Sequence, residues 1–273
     1  MSAPPSRPGV TPDPWTALRR HTPARIALGR TGSSLPTSEV LGFALAHAQA
    51  RDAVHAPFEA EATAEAIQAL GLETVIVDSA APDRASYLRR PDLGRTLSET
   101  GRAALVARTR GACDLAIVVA DGLSSTAVHA HAAPLIEALL PAVRAAGWRL
   151  APVIVARQAR VALGDAVGEL LGARLAILLV GERPGLSSPD SLGAYITFAP
   201  KVGRSDAERN CVSNIRAEGL SYEAAAFKLA WHAREALRLG LTGVGLKDES
   251  DIAALEAVTP PRIAPAGSRS PTG

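Results

Sequence analysis

The sequence predicts an α/β protein: a Rossmann-like, doubly wound parallel sheet with a mainly helical N-terminal region. Three near-continuous apolar runs, residues 115–120, 150–156 and 175–180, have strand length and the look of strands buried on both faces. Segments of helical periodicity, 124–146 and 165–171, lie between them. A strand–helix–strand–helix–strand order implies right-handed crossovers, which make neighbouring strands parallel.

The elements follow in order. Residues 1–14 hold five prolines and no apolar run, so they read as a disordered tail rather than a leader peptide. Residues 15–98 form the mainly helical region. Thr37 is the expected N-cap of its first helix, with Glu39 in the first turn and Val40, Leu41, Ala44, Leu45 and Ala48 on one stripe. A second helix over 59–70 stops at Gly71, and the β-branched run 74–77 predicts a strand. Residues 99–249 form the Rossmann-like domain. Within it, Pro134 and Pro141 interrupt the first crossover. A proline inside a helix costs about 3 kcal/mol, which predicts a break near Ala133 and a new helix from Pro134. Residues 195–198 add a strand. Ser221 caps a last helix that runs to Leu239 and stops at Gly240. Residues 250–273 open with the short apolar stretch 252–258 and become a Pro/Ser/Gly mixture, predicting a largely disordered tail.

Composition narrows the function. The chain has 273 residues, 29 basic and 27 acidic, for a net charge of +2. No strong overall field draws it to nucleic acid or to an anionic membrane, and neither is an expected partner. No window approaches the roughly 20 apolar residues of a membrane span. Cys113 and Cys211 are too few for a disulfide framework or a four-cysteine zinc site. These features predict a cytosolic protein.

Familiar chemical motifs are absent. There is no Gly-x-Gly-x-x-Gly, no Walker-type phosphate loop, no His-Glu-x-x-His and no Cys-x-x-Cys. His129 and His131, two apart, point to different sides of a helix and read as packing or surface residues. The candidates are polar loops after predicted strands, where open α/β sheets bind ligands. Asp121-Gly122-Leu123-Ser124 combines a carboxylate, a turn and a cap. Gly181-Glu182-Arg183-Pro184-Gly185 offers close backbone approach and the Glu182 carboxylate, which either accepts from a ligand or pairs with Arg183. Arg209-Asn210-Cys211-Val212-Ser213-Asn214 is a polar run around one thiol, with no neighbouring base to activate it. Tyr87 to Arg95 carries three arginines and reads as an anion clamp, a partner-facing surface or a solvated loop with Arg–Asp pairing. No complete acid–base or nucleophile set emerges. The residues alone support a ligand-binding α/β protein with a helical N-terminal part, a stand-alone nucleotide or small-molecule binder or a structural assembly subunit, and give little support to a stand-alone enzyme.

These same loops resemble one family. Leu18-Arg19-Arg20 with Ala24-Arg25, Gly29-Arg30, Tyr87 to Arg95, Asp121 to Ser124, Arg160-Val161, Gly168-Glu169, Gly181 to Leu186 and Cys211 to Ile215 occur in the order found in the small (light) subunit of ethanolamine ammonia-lyase. The resemblance spans about Trp15 to Asp248. It implies an adenosylcobalamin-dependent lyase converting ethanolamine to acetaldehyde and ammonia. In that family a large β/α-barrel subunit holds most of the active site and the substrate, and the small subunit closes over cobalamin at the interface. The cofactor keeps its own dimethylbenzimidazole on cobalt, so this chain would not ligate the metal. That agrees with the missing Asp-x-His-x-x-Gly signature. By motif, the cobalamin contacts fall on Val161, Glu182 and Cys211, with Asp121, Ser124 and Arg183 as further candidates by position. Ala159 stands where many relatives have glycine, and Val212 replaces a common isoleucine. Relatives packaged in bacterial microcompartments often carry a longer N-terminal extension. With that extension reduced here, a packaged and a free cytosolic complex both stay open.

Overall fold

A computed structural model describes residues 9–108 and 111–251. Helices α1 (Thr37–His55) and α2 (Ala60–Gln68) come first, then strand β1 (Thr74–Asp78) and helices α3 (Arg84–Arg89) and α4 (Glu99–Val106). The order continues β2 (Cys113–Ala120), α5 (Ser125–Ala145), β3 (Val153–Arg157), α6 (Leu163–Leu170), β4 (Ala173–Gly181), β5 (Leu192–Phe198), β6 (Arg209–Ile215) and α7 (Tyr222–Leu239). The expectations for 1–8 and 252–273 lie outside the described residues. Among the described residues no helix is long and apolar enough to cross a membrane.

One six-stranded sheet runs in the order β1-β3-β2-β4-β5-β6. Its apolar runs are buried on both faces, as their composition predicts. Leu115, Ile117 and Val119 of β2 join one core with α2, α5 and α7. Ala116, Val118 and Ala120, alternating with them, join a second core with residues of α4 and α6. β1 comes from the stretch read as mainly helical and forms an edge of the same sheet, paired with β3.

The sheet is mixed, which corrects the expected all-parallel, doubly wound arrangement. β1, β3, β2 and β4 are mutually parallel, but β5 pairs antiparallel with β4, and β6 antiparallel with β5. The reason is connection length. A parallel return needs a crossover of a dozen or more residues, usually helical. Residues 182–191 contain no helix, so the chain doubles back on β4. The two reversals leave β6 parallel to β4, and both end at the same rim.

Three further differences are physical. α5 runs unbroken through Pro134 and Pro141. The carbonyls those prolines leave without an intrahelical donor belong to Ala130 and Glu137, both solvent-exposed, while Val128, Leu135, Ile136 and Leu139 are buried on the inner face. The cap of α1 is Pro36, with Thr37 already inside the helix. The predicted α1 stripe exists as a helix but faces solvent: Val40, Leu41, Ala44, Leu45 and Ala48 are all exposed. By contrast, Ser221 caps α7 through the Ala224 N–H, and left-handed Gly240 ends it. A buried ion pair then fastens β6 to α6. Arg209 Nη1 and Nη2 reach the two Asp165 carboxylate oxygens at 2.5 and 2.7 Å.

Candidate functional site

The carboxyl ends of β2, β3 and β4 open into loops that lock together. After β2, Gly122 takes φ 57°, and a Cβ there would lie 2.3 Å from the Gly181 carbonyl oxygen. A Cβ on Gly181 would in turn meet the Ser124 carbonyl oxygen at 2.0 Å. The Leu123 N–H donates to that Gly181 carbonyl at 2.9 Å. Side chains at either glycine would force the loops apart. Ser124 caps α5 through the Ala127 N–H at 3.2 Å and donates its hydroxyl to the Pro189 carbonyl at 2.9 Å. It is a structural clasp between the β2 loop and the loop after β4.

Asp121 ties this pair to the loop after β3. It is fully buried. Its Oδ1 accepts the Ala159 N–H at 2.9 Å, and its Oδ2 lies 3.3 Å from Arg84 Nη1. Arg84 also donates to the carbonyls of Gly122 and Val54, both at 2.8 Å. Tyr87 lies between two guanidinium groups, Arg84 at 4.9 Å and Arg160 at 4.5 Å from its ring centre, and donates its hydroxyl to Ala159 O. The Arg160 N–H reaches Gly94 O at 2.8 Å. The Tyr87-to-Arg95 segment therefore supports the Arg160–Val161 loop, while Arg90 pairs with Asp92 at the surface at 2.6 Å. Ala159, in place of glycine, is fully buried and carries this Asp121 link.

Burial pushes the Asp121 carboxyl up to about 6, against the Ala159 N–H and Arg84, which pull it down. In an unfolded chain the same group titrates near 4. Between those values the native state binds more protons, so this contribution to stability is full below about pH 4 and is lost as pH rises through about 6. Asp121→Asn removes it. Urea unfolding should show the native sequence losing up to about 3 kcal/mol more than the variant between pH 4 and 7. Parallel pH profiles would remove Asp121 from this role.

Val161 and Glu182 line one cleft of about 410 Å³, together with Leu123, Arg160, Arg183 and Tyr195. Glu182 does not pair with Arg183. Its Oε2 accepts from the Ser191 hydroxyl and, at 3.3 Å, from the Asn214 N–H. A Cβ at residue 193 would sit 2.9 Å from Oε1, so Gly193 leaves room for the carboxylate. Asn214 has φ 59° and Gln158 φ 51°, left-handed backbone outside glycine, held where the loops converge. Cys211 is exposed and stands directly across from Tyr195 in the β5–β6 register. Although the residue keeps an exposed edge, neighbouring atoms crowd its sulfur and displace water, which with the Glu182 charge pushes the thiol up, opposed by Tyr195. A raised thiol suits packing rather than nucleophilic attack.

The structure thus brings Val161 and Glu182 into one cleft and sets Cys211 beside it. Asp121 and Ser124 lie beneath as supports, and Arg183 is an exposed part of the lining. Arg84, Ser191 and Tyr195 were not legible as site residues, since each acts through a partner distant in sequence or on a neighbouring strand. A larger cleft of about 540 Å³ lies between α5 and α7, on a helical face rather than at a strand end. Among the described residues no cluster of histidine, cysteine and carboxylates could hold a metal ion.

Known proteins match the chain along most of its length. Residues 12–247 match the family described as ethanolamine ammonia-lyase light chain (EutC). The chain is 57% identical over 253 residues to the ethanolamine ammonia-lyase small subunit of Azotobacter vinelandii, covering 92% of this chain and 94% of the relative. Small subunits from Pseudomonas putida and Ralstonia nicotianae are also 57% identical, each over 251 residues, covering 90% and 91% of this chain and 92% and 93% of the relatives. A match over nearly all the described residues, with the cleft loops inside it, places the chain in the ethanolamine ammonia-lyase light chain family.

Proposed function

We propose that this chain is the small subunit of an ethanolamine ammonia-lyase, acts with a large subunit, and holds one side of adenosylcobalamin through Val161, Glu182 and Cys211. One observation carries the reading: in a member of this family, an ordered carboxylate sits in an open cleft of about 410 Å³ at the strand ends, far smaller than a corrinoid. Such a cleft is half of a site, to be completed by another surface. Its chemistry suits the ligand. Glu182, held by Ser191 and Asn214, can accept from the amides on a corrin's rim. Val161 and Leu123 offer aliphatic contact, and Tyr195 a phenol edge. No imidazole is among the lining residues, which suits a cofactor that keeps its own base on cobalt.

The bound cofactor supplies the radical chemistry; the protein binds, orients and shields. On this side, Asp121 and the interlocked glycines fix where Glu182 and Val161 stand. The reading of a stand-alone nucleotide binder is not favoured. The turn between β2 and α5, at the centre of the parallel strands, holds the buried Asp121 carboxylate and no glycine-rich phosphate loop.

Reconstitution tests the proposal. The chain alone should release no ammonia from ethanolamine, and addition of the large subunit and adenosylcobalamin should restore release. Glu182→Ala should raise the half-saturating cofactor concentration about 2- to 13-fold, the equivalent of one hydrogen bond of about 0.5–1.5 kcal/mol. The rate at saturating cofactor should stay close to that of the native sequence. Turnover by the isolated chain, or an unchanged cofactor requirement in the variant, would refute it.

A further inference from the structure

The N-terminal arm presents an apolar surface that the core of this chain does not use. The 3-10 segment Thr16–His21 buries no residue, and the nineteen residues of α1 bury only Ala46 and Ala53. Trp15 is 66% exposed, Leu41 64% and Leu45 60%, with Leu18, Val40 and Phe43 each close to half. A helix of this length gains most of its stability in water from packing an apolar face. Lone exposed apolar residues are ordinary, but a cluster of large ones marks an interaction surface. The segment before α1 is held along one flank of the helix: Arg19 reaches Glu39 at 3.7 Å, and the Arg25 guanidinium lies 5.8 Å from the Phe43 ring centre.

Two observations identify the occupant. The first is continuity with the cleft. Arg25 Nη2 donates to the Leu186 carbonyl at 3.2 Å, within the loop that begins at Glu182. At the far end of α1, the Val54 carbonyl accepts from Arg84, which also faces Asp121 under the cleft. The arm is therefore fastened at both ends to the cofactor side of the molecule. The second is charge. Over residues 15–56 five arginines (19, 20, 25, 30 and 51) face only two carboxylates, Glu39 and Asp52. Two copies docked face to face would oppose like charges around the apolar centre, which is unfavourable. An apolar surface with an acidic rim is the complement.

We propose that the surface formed by Val40, Leu41 and Leu45 of α1, with Trp15 and Leu18 of the adjoining segment, is where the large subunit docks. It would form one continuous interface with the cofactor cleft. This rests on the reading of the chain as a small subunit, and it adds which surface does the docking and what chemistry the partner must present there.

The test uses the full chain co-expressed with the large subunit. Leu41→Asp combined with Leu45→Asp alters two exposed side chains with no role in the core or cleft. The variant should keep the circular dichroism spectrum of the native chain, while the amount of large subunit that co-purifies with it falls at least tenfold. Val202→Asp, at an exposed apolar residue outside the arm, should leave co-purification unchanged. An independent readout needs no variant: trypsin should cut the free chain at Arg19 and Arg20 and spare both in the complex. Undiminished assembly of the double variant, or equal cleavage in both states, overturns the proposal. So does a dimer of the isolated chain that the double variant abolishes, because a second copy would then own the surface. If the arm variants assemble normally while Glu182→Ala still weakens the cofactor, the docking inference alone has failed. If the native chain forms no complex at all, the underlying reading has failed with it.

Discussion

Asp165→Ala should lower the unfolding free energy of the chain by about 3–5 kcal/mol, the usual cost of removing one partner from a buried ion pair. Both side chains are only 2% exposed. Arg209 spends its donors on Asp165, on Thr197 Oγ1 at 3.1 Å and on the Arg204 carbonyl at 2.9 Å. Without Asp165 the guanidinium keeps its burial, loses its buried counter-charge and retains only the solvent-exposed Asp206 carboxylate, 3.3 Å from its Nε. Burial already pushes the Asp165 carboxyl up, with Arg209 pulling the other way, so the pair persists through its geometry rather than a cheap environment. Against a typical total of about 5–15 kcal/mol, the loss is large. Urea unfolding followed by circular dichroism measures it. The double variant Asp165→Leu with Arg209→Met should cost much less, since an apolar pair leaves no buried charge. A single-variant loss below about 1 kcal/mol would place the pair among ordinary surface interactions.

Gly181→Ala should be comparably severe and should act on the cleft directly. The added methyl would stand 2.0 Å from the Ser124 carbonyl oxygen and 2.7 Å from that of Asp121. Both are backbone atoms, so no side chain can turn aside. The β2 loop and the start of the Glu182 loop must separate, at a cost of about 3 kcal/mol or more. For a chain of this size that is a drop in melting temperature on the order of 6–12 °C. The variant should also need more cofactor than Glu182→Ala, because it shifts the frame rather than one oxygen. A native melting temperature would show that the loops part without strain.

The layered α/β core was legible because its strands are buried on both faces and so read as unbroken apolar runs. β6 was not. As an edge strand it keeps Cys211, Ser213 and Asn214 exposed, and the register shift opposite Leu192–Ala194 spoils its alternation. The same blindness produced the all-parallel expectation, since β5 runs against the rest and only the shortness of the connections on either side of it hints at the reversal. Proline chemistry predicted a break in α5 that the helix avoids by turning the affected carbonyls outward. The α1 stripe shows another limit: periodicity reveals that a face is apolar but not which chain will cover it. At the cleft, Glu182 stood out as a loop residue after a strand, while Val161 was reached only through the resemblance to the family. The supporting network did not, because Arg84 lies 37 residues from Asp121 and nothing local links them.

The placement of β6 has a consequence for how the cleft responds to thermal motion. This strand is hydrogen-bonded to a neighbouring strand on one side only. Its first residue is bolted to α6 by the buried Arg209–Asp165 pair, while its far end supplies the Asn214 N–H to Glu182. The end beside the cleft has no such ion pair and is held by the Asn214 N–H to Glu182 and the Leu220 N–H to the Asn214 carbonyl at 2.7 Å. Openings far smaller than global unfolding can detach Asn214 and shift Cys211 while β2, β3 and β4 stay closed. A ligand that requires the closed strand adds its binding free energy to that local equilibrium first. Occupancy of the cleft would thus be felt as hydrogen-exchange protection along one sheet edge long before it registers in the stability of the whole chain.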